Sequence, residues 1–79
     1  MSSDDTTLDQ LQPGQQATIT HLDSTGLMRR RLMDLGLLPG THITVTLRSP
    51  LGDPTAYEVR GATVALRKAT ARTIAVSLA

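Results

Sequence analysis

Three consecutive arginines, Arg29, Arg30 and Arg31, form the densest charge in this 79-residue chain, and His21 and His42 are its two imidazoles. Guanidinium groups grip carboxylates and phosphates through a planar fork of donors, and imidazole nitrogens bind divalent transition metals. There is no cysteine, which excludes thiol nucleophiles, disulfides and cysteine-bound zinc. Ser24 and Ser49 lie in no nucleophile-elbow pattern. The run Gly36-Leu37-Leu38-Pro39-Gly40-Thr41 lacks the lysine and the spacing of a phosphate-binding loop. No pair of acids stands in an apolar setting that could split their pKa values. The expectation is a protein that is not an enzyme and carries no cofactor. The histidines, with Asp23 near the first, form no His-x-x-x-His or carboxylate cluster, so surface histidines are expected and no metal ligands are assigned.

Binding chemistry has better material. A predicted helix over Gly26 to Leu35 places Arg29 and Arg30 on its polar face with Met33 between them. A flexible apolar side chain among arginines suits a docking surface. On the other face Leu27, Met28, Leu32 and Leu35 form an apolar stripe with Arg31 inside it, so Arg31 must snorkel or meet a buried acid. Asp34 follows Arg30 by four residues, which predicts an intrahelical ion pair worth about 0.2–0.5 kcal/mol. The loop Ser49 to Pro54 holds two prolines and a glycine and reads as a rigid turn. Leu51 at its tip is either tucked onto the domain or offered to a partner. Arg29, Arg30, Met33 and Leu51 are therefore the candidate partner-binding residues. Tyr57 is the lone aromatic, too little for a proline-rich peptide groove or for base stacking. The net charge of +1 argues against a nucleic-acid partner held through its phosphates.

The elements that must hold these residues are short. Ala17 to Leu22 alternates as a first strand, with Ala17, Ile19 and His21 on one side. Asp23-Ser24-Thr25 offers capping oxygens for the helix, and Gly36 and Pro39 mark its end. Ile43, Val45 and Leu47 alternate with threonines and Arg48 in the clearest strand. Ala56 to Val59, a reversal at Arg60-Gly61, a strand through Val64 and Leu66, one helical turn over Lys68 to Ala71, and a strand through Ile74, Val76 and Leu78 follow. About five short strands and one small helix predict a mainly β, small barrel or rolled sheet.

A chain of this size is one domain with one small core. Residues 1–7 are polar and are expected to be disordered or loosely attached, with the domain over residues 8–79. The N-terminus has no basic segment leading into an apolar run, and no stretch is long enough to span a bilayer. A cytoplasmic protein without direct membrane insertion is expected.

Arg30-Arg31-Leu32-Met33-Asp34-Leu35-Gly36-Leu37-Leu38-Pro39-Gly40-Thr41, together with Pro50-Leu51-Gly52-Asp53-Pro54 and Val59-Arg60-Gly61, resembles the FeoA-like family of ferrous iron transport proteins A. Leu8, Leu11 and Gly14 at the start and Ala65-Leu66-Arg67 near the end agree with it, so the likeness covers about residues 8–78. The resemblance implies an SH3-like β-barrel with a short helix between the first two main strands. It implies an accessory role in ferrous iron uptake, with a membrane iron transporter and its cytoplasmic GTP-binding region as partner. An alternative by the same resemblance is a metal-responsive or transition-metal-binding module related to the C-terminal barrel of iron-dependent repressors. The chain opens on Met1 and shows no helix-turn-helix pattern, so a free-standing accessory protein is the expectation.

Overall fold

The structure, a computed structural model, describes residues 5–78. Its strands are β1 (Asp5–Thr7), β2 (Gln16–Leu22), β3 (His42–Arg48), β4 (Thr55–Val59), β5 (Ala62–Leu66) and β6 (Ile74–Leu78). Two α-helices interrupt them, α1 (Gly26–Asp34) between β2 and β3 and the single turn α2 (Lys68–Ala71) before β6, and a 3-10 turn, Leu8–Gln10, lies between β1 and β2. The strands form one antiparallel sheet in the order β1-β6-β2-β3-β4-β5.

Inward residues of five strands meet in one cluster: Ala17, Ile19 and Leu22 from β2, Ile43 and Val45 from β3, Tyr57 and Val59 from β4, Leu66 from β5, and Ile74 and Val76 from β6. A single sheet whose one face converges on one core must curl, and two irregularities help it. The register of β2 against β6 shifts between Ile19 and His21, and that of β3 against β4 between Val45 and Leu47. Each extra residue reverses the facing of the rest of its strand. His21, expected on the apolar side, therefore turns outward and Leu22 turns in. By the same shift Leu47 leaves the core and stands 67% exposed.

The predicted segments for β2 through β6 hold, and a sixth strand is added. Asp5–Thr7, expected to be loose with the rest of residues 1–7, pairs with β6 as β1. Such pairing uses backbone groups at an open sheet edge, so it leaves no trace in side-chain patterning. Residues 1–4 lie outside the described residues.

The reversal between β4 and β5 is a two-residue hairpin, with Val59 paired to Ala62 across Arg60 and Gly61. Both turn residues have positive φ, +54° and +84°, the geometry that matches the twist of the flanking strands.

Tyr57 is buried, and burial pushes its phenol above its ordinary pKa, against the opposing pull of the Thr55 side chain and the Arg48 guanidinium. A raised native pKa means that the unfolded chain releases the proton first. The Tyr57 contribution is then fully present below about pH 10, the ordinary phenol value, and is lost as pH rises through the higher native one. In urea titrations from about pH 9 to about pH 11, the wild-type midpoint should fall more steeply than that of Tyr57→Phe. Parallel curves would remove Tyr57 as the cause.

Candidate partner-docking surface

The geometry of α1 is set at its C-terminal end. Leu37 N–H donates to the Leu32 carbonyl at 2.9 Å and Gly36 N–H to that of Met33 at 3.0 Å, the paired bonds of a Schellman stop. Gly36 takes the left-handed conformation this requires, φ +93°. Leu32 and Leu37, the apolar pair that accompanies the motif, are both buried. At the other end Thr25 makes no side-chain cap. Ser24, one of the expected capping oxygens, instead donates its hydroxyl to Thr73 Oγ1 at 2.7 Å, tying the helix entrance to the segment before β6.

Leu32 is the single buried residue of α1. The expected apolar stripe exists, but the barrel covers only its edge. Leu27 is 87% exposed, Leu35 44% and Met28 42%. Arg31, expected to snorkel or to meet a buried acid, lies exposed in the uncovered part of the stripe. The physical reason is length: two and a half turns, entered and left through glycines, reach the core at only one position. The expected Arg30–Asp34 ion pair does not form either. Among the described residues the one approach of a basic to an acidic side chain is His21 Nε2 to Asp23 Oδ1, 3.9 Å apart and well exposed, an ion pair only when the imidazole is protonated.

Of the candidate residues, Arg29, Arg30 and Met33 share the outer side of α1, all exposed. Arg29 also donates from Nη1 to the Leu22 carbonyl at 3.3 Å, which steadies the helix against the end of β2. Leu51 lies apart from them. It crowns the loop between β3 and β4, 93% exposed, beside a cavity of about 270 Å³ that no α1 residue lines. The loop is closed by hydrogen bonds of its own. Gly52 N–H donates to the Ser49 carbonyl, Ser49 N–H to that of Pro54, and Asp53 Oδ1 accepts the Lys68 N–H at 2.8 Å at the start of α2. Arg48, below the loop, donates Nη2 to the Leu11 carbonyl at 2.8 Å. Leu51 is thus held outward and is not tucked onto the barrel.

The imidazoles are separate. His42 Nε2 pairs with Gln16 Oε1 at 3.0 Å, while His21 faces Asp23. Among the described residues no three His, Asp or Glu side chains gather as a metal would need. Leu27, Met28 and Leu35 are surface residues that periodicity placed on the apolar side of the helix. The signal that could have flagged them is Arg31, because a guanidinium amid an apolar stripe marks a face the domain itself does not bury.

A curled antiparallel sheet with one short helix between β2 and β3 defines a small SH3-like barrel domain. The model of the FeoA domain family matches residues 6–78. The Fe(2+) transport protein A/Fe(2+) transporter FeoB fusion protein of Porphyromonas gingivalis is 37% identical over 71 residues, covering 90% of this chain. The match spans only 8% of that relative's length. The solution structure of the FeoA protein of Chlorobium tepidum superposes with a TM-score of 0.87 at 36% identity, over 92% of this chain and 70% of that one. FeoA of Stenotrophomonas maltophilia complexed with zinc, described as a prokaryotic SH3 domain protein, gives a TM-score of 0.81 at 25% identity, over 91% of this chain and 89% of that one. The chain belongs to the FeoA domain family. Among the described residues no helix is long and apolar enough to cross a membrane.

Proposed function

We propose that this domain is a non-catalytic accessory protein of ferrous iron uptake, acting in the cytoplasm on a membrane iron transporter with a GTP-binding region. The observation that carries the reading is the Porphyromonas gingivalis relative, in which a matching segment belongs to one chain with a ferrous iron transporter. Fusion holds two modules at high effective concentration, an arrangement that serves modules which touch. The exposed side of α1, with Arg29, Arg30 and Met33, and the Leu51 loop are the contacts. Arginine and methionine are enriched at such interfaces. Regulation follows if the domain binds one state of the transporter more tightly than another.

The double variant Arg30→Asp/Met33→Asp tests this. Both side chains are exposed, so folding should change little, within about 0.5 kcal/mol per site. Capture of the transporter's cytoplasmic region from a membrane extract should be lost, while the thermal melt is retained. Undiminished capture would remove this surface.

A further inference from the structure

The part of α1 that the barrel leaves uncovered specifies the chemistry of what covers it. At 100° per residue, Leu27, Arg31, Leu35 and Met28 follow one another over about 100° of the helix circumference, beside buried Leu32. The three apolar members are 42–87% exposed. Arg31 stands near the middle of the arc, exposed, with no ion pair or side-chain hydrogen bond among the described residues. Any surface that buries Leu27 and Leu35 takes the guanidinium out of water with them. An uncompensated charge there would oppose binding.

We propose that the arc docks into an apolar groove of a protein partner that presents a carboxylate at its centre, opposite Arg31. This goes beyond the contact proposed through Arg29, Arg30 and Met33 by adding the other exposed face of α1, and it rests on the reading that the domain binds a transporter. The carboxylate accepts two parallel N–H bonds from the planar fork, the geometry that best compensates a desolvated guanidinium. Arg29, Arg30 and Arg31 against the single acid Asp34 give the helix a positive field, which favours an acidic groove over a neutral one. A second copy of this chain fits less well, since a two-fold pairing of the arcs would bring two Arg31 side chains into one apolar contact. A lipid surface fits less well too. Helices that lie in membranes keep cations off the apolar face, whereas here the cation sits within it.

Calorimetric titration of the transporter's cytoplasmic region with the full chain distinguishes these. Arg31→Leu makes the arc wholly apolar, so a purely apolar groove would bind it at least as tightly as wild type. A groove with a central carboxylate should bind it tenfold or more weakly, because the partner's charge is then buried alone. Arg31→Lys should fall between, keeping the charge and losing the fork. Arg72→Leu, an equal loss of charge on the exposed residue after α2, should leave affinity unchanged. Undiminished affinity of Arg31→Leu overturns the carboxylate while leaving transporter binding standing. No binding by wild type overturns both. Self-association of wild type that Arg31→Leu alters, seen by sedimentation, assigns the arc to a second copy and overturns the proposal. Flotation of wild type with phosphatidylglycerol vesicles that Leu27→Asp abolishes assigns it to lipid, with the same consequence.

Discussion

Replacing Leu32 by alanine is expected to undock α1 and to cost about 2–5 kcal/mol, the range for truncating a buried leucine. Leu32 is 1% exposed and is the one α1 side chain in the core. A nine-residue helix is marginal in water without tertiary contacts, so nothing else on α1 can replace that anchor. Domains of this size draw only about 3–5 kcal/mol of net stability from one core. The loss is therefore of the same order as the whole. Urea unfolding should show the midpoint moved sharply down or a large unfolded fraction in buffer. Leu27→Ala is the control. Its side chain is 87% exposed, and its cost should stay within about 0.5 kcal/mol. Equal losses for the two leucines would contradict the docking described for α1.

The second large effect is expected at Gly36. Its φ of +93° is a conformation that a β-branched residue rarely takes, and forcing a side chain into it costs about 1–3 kcal/mol. A Cβ at this position would stand in ordinary van der Waals contact with Arg60 Cδ at 3.4 Å and Val59 Cγ1 at 3.8 Å, so any crowding comes from valine's two further methyl groups. Gly36→Val strains the left-handed residue of the Schellman stop, and its γ-methyls must find room beside the Arg60 and Val59 side chains of the β4–β5 hairpin. Thermal unfolding should show a loss of about 2 kcal/mol or more, with strain and contact adding. Gly14 is an informative comparison. It too has positive φ, +91°, but nothing lies within 4 Å of its would-be Cβ, so Gly14→Val should report backbone strain alone. If both variants lose the same amount, the close approach of the hairpin to the helix end contributes nothing. Leu32 and Gly36 act on the same element, so their effects should not add when combined.

Strand positions in this chain are readable because each half-buried strand repeats with period two against a single core. Ile43 and Val45, Tyr57 and Val59, and Ile74 and Val76 announce their facing directly, and all six are buried. The end of α1 is equally readable, since glycine at Gly36 followed by Pro39 leaves the backbone few alternatives. These features depend on neighbours within a few residues. So does the turn from Ser49 to Pro54, closed by its own backbone hydrogen bonds.

Other features answer to residues far away in the chain. The register shifts in β2 and β3 expel His21 and Leu47 because a curling sheet needs local excess length at its bends, a demand imposed by the paired strand. The strand Asp5–Thr7 exists because β6 has an open side. Ser24 serves Thr73, 49 positions distant, and not the helix it precedes.

For the proposed docking surface, helical periodicity located the apolar side of α1 but not how much of it the barrel would cover. That depends on where β2 ends and β3 begins around the core. Periodicity states which residues share a face, through bonds local to the helix. Whether that face meets the protein's own core or the solvent depends on the shape of everything packed beside it, and here one leucine goes inward while an arginine and three apolar neighbours remain outside.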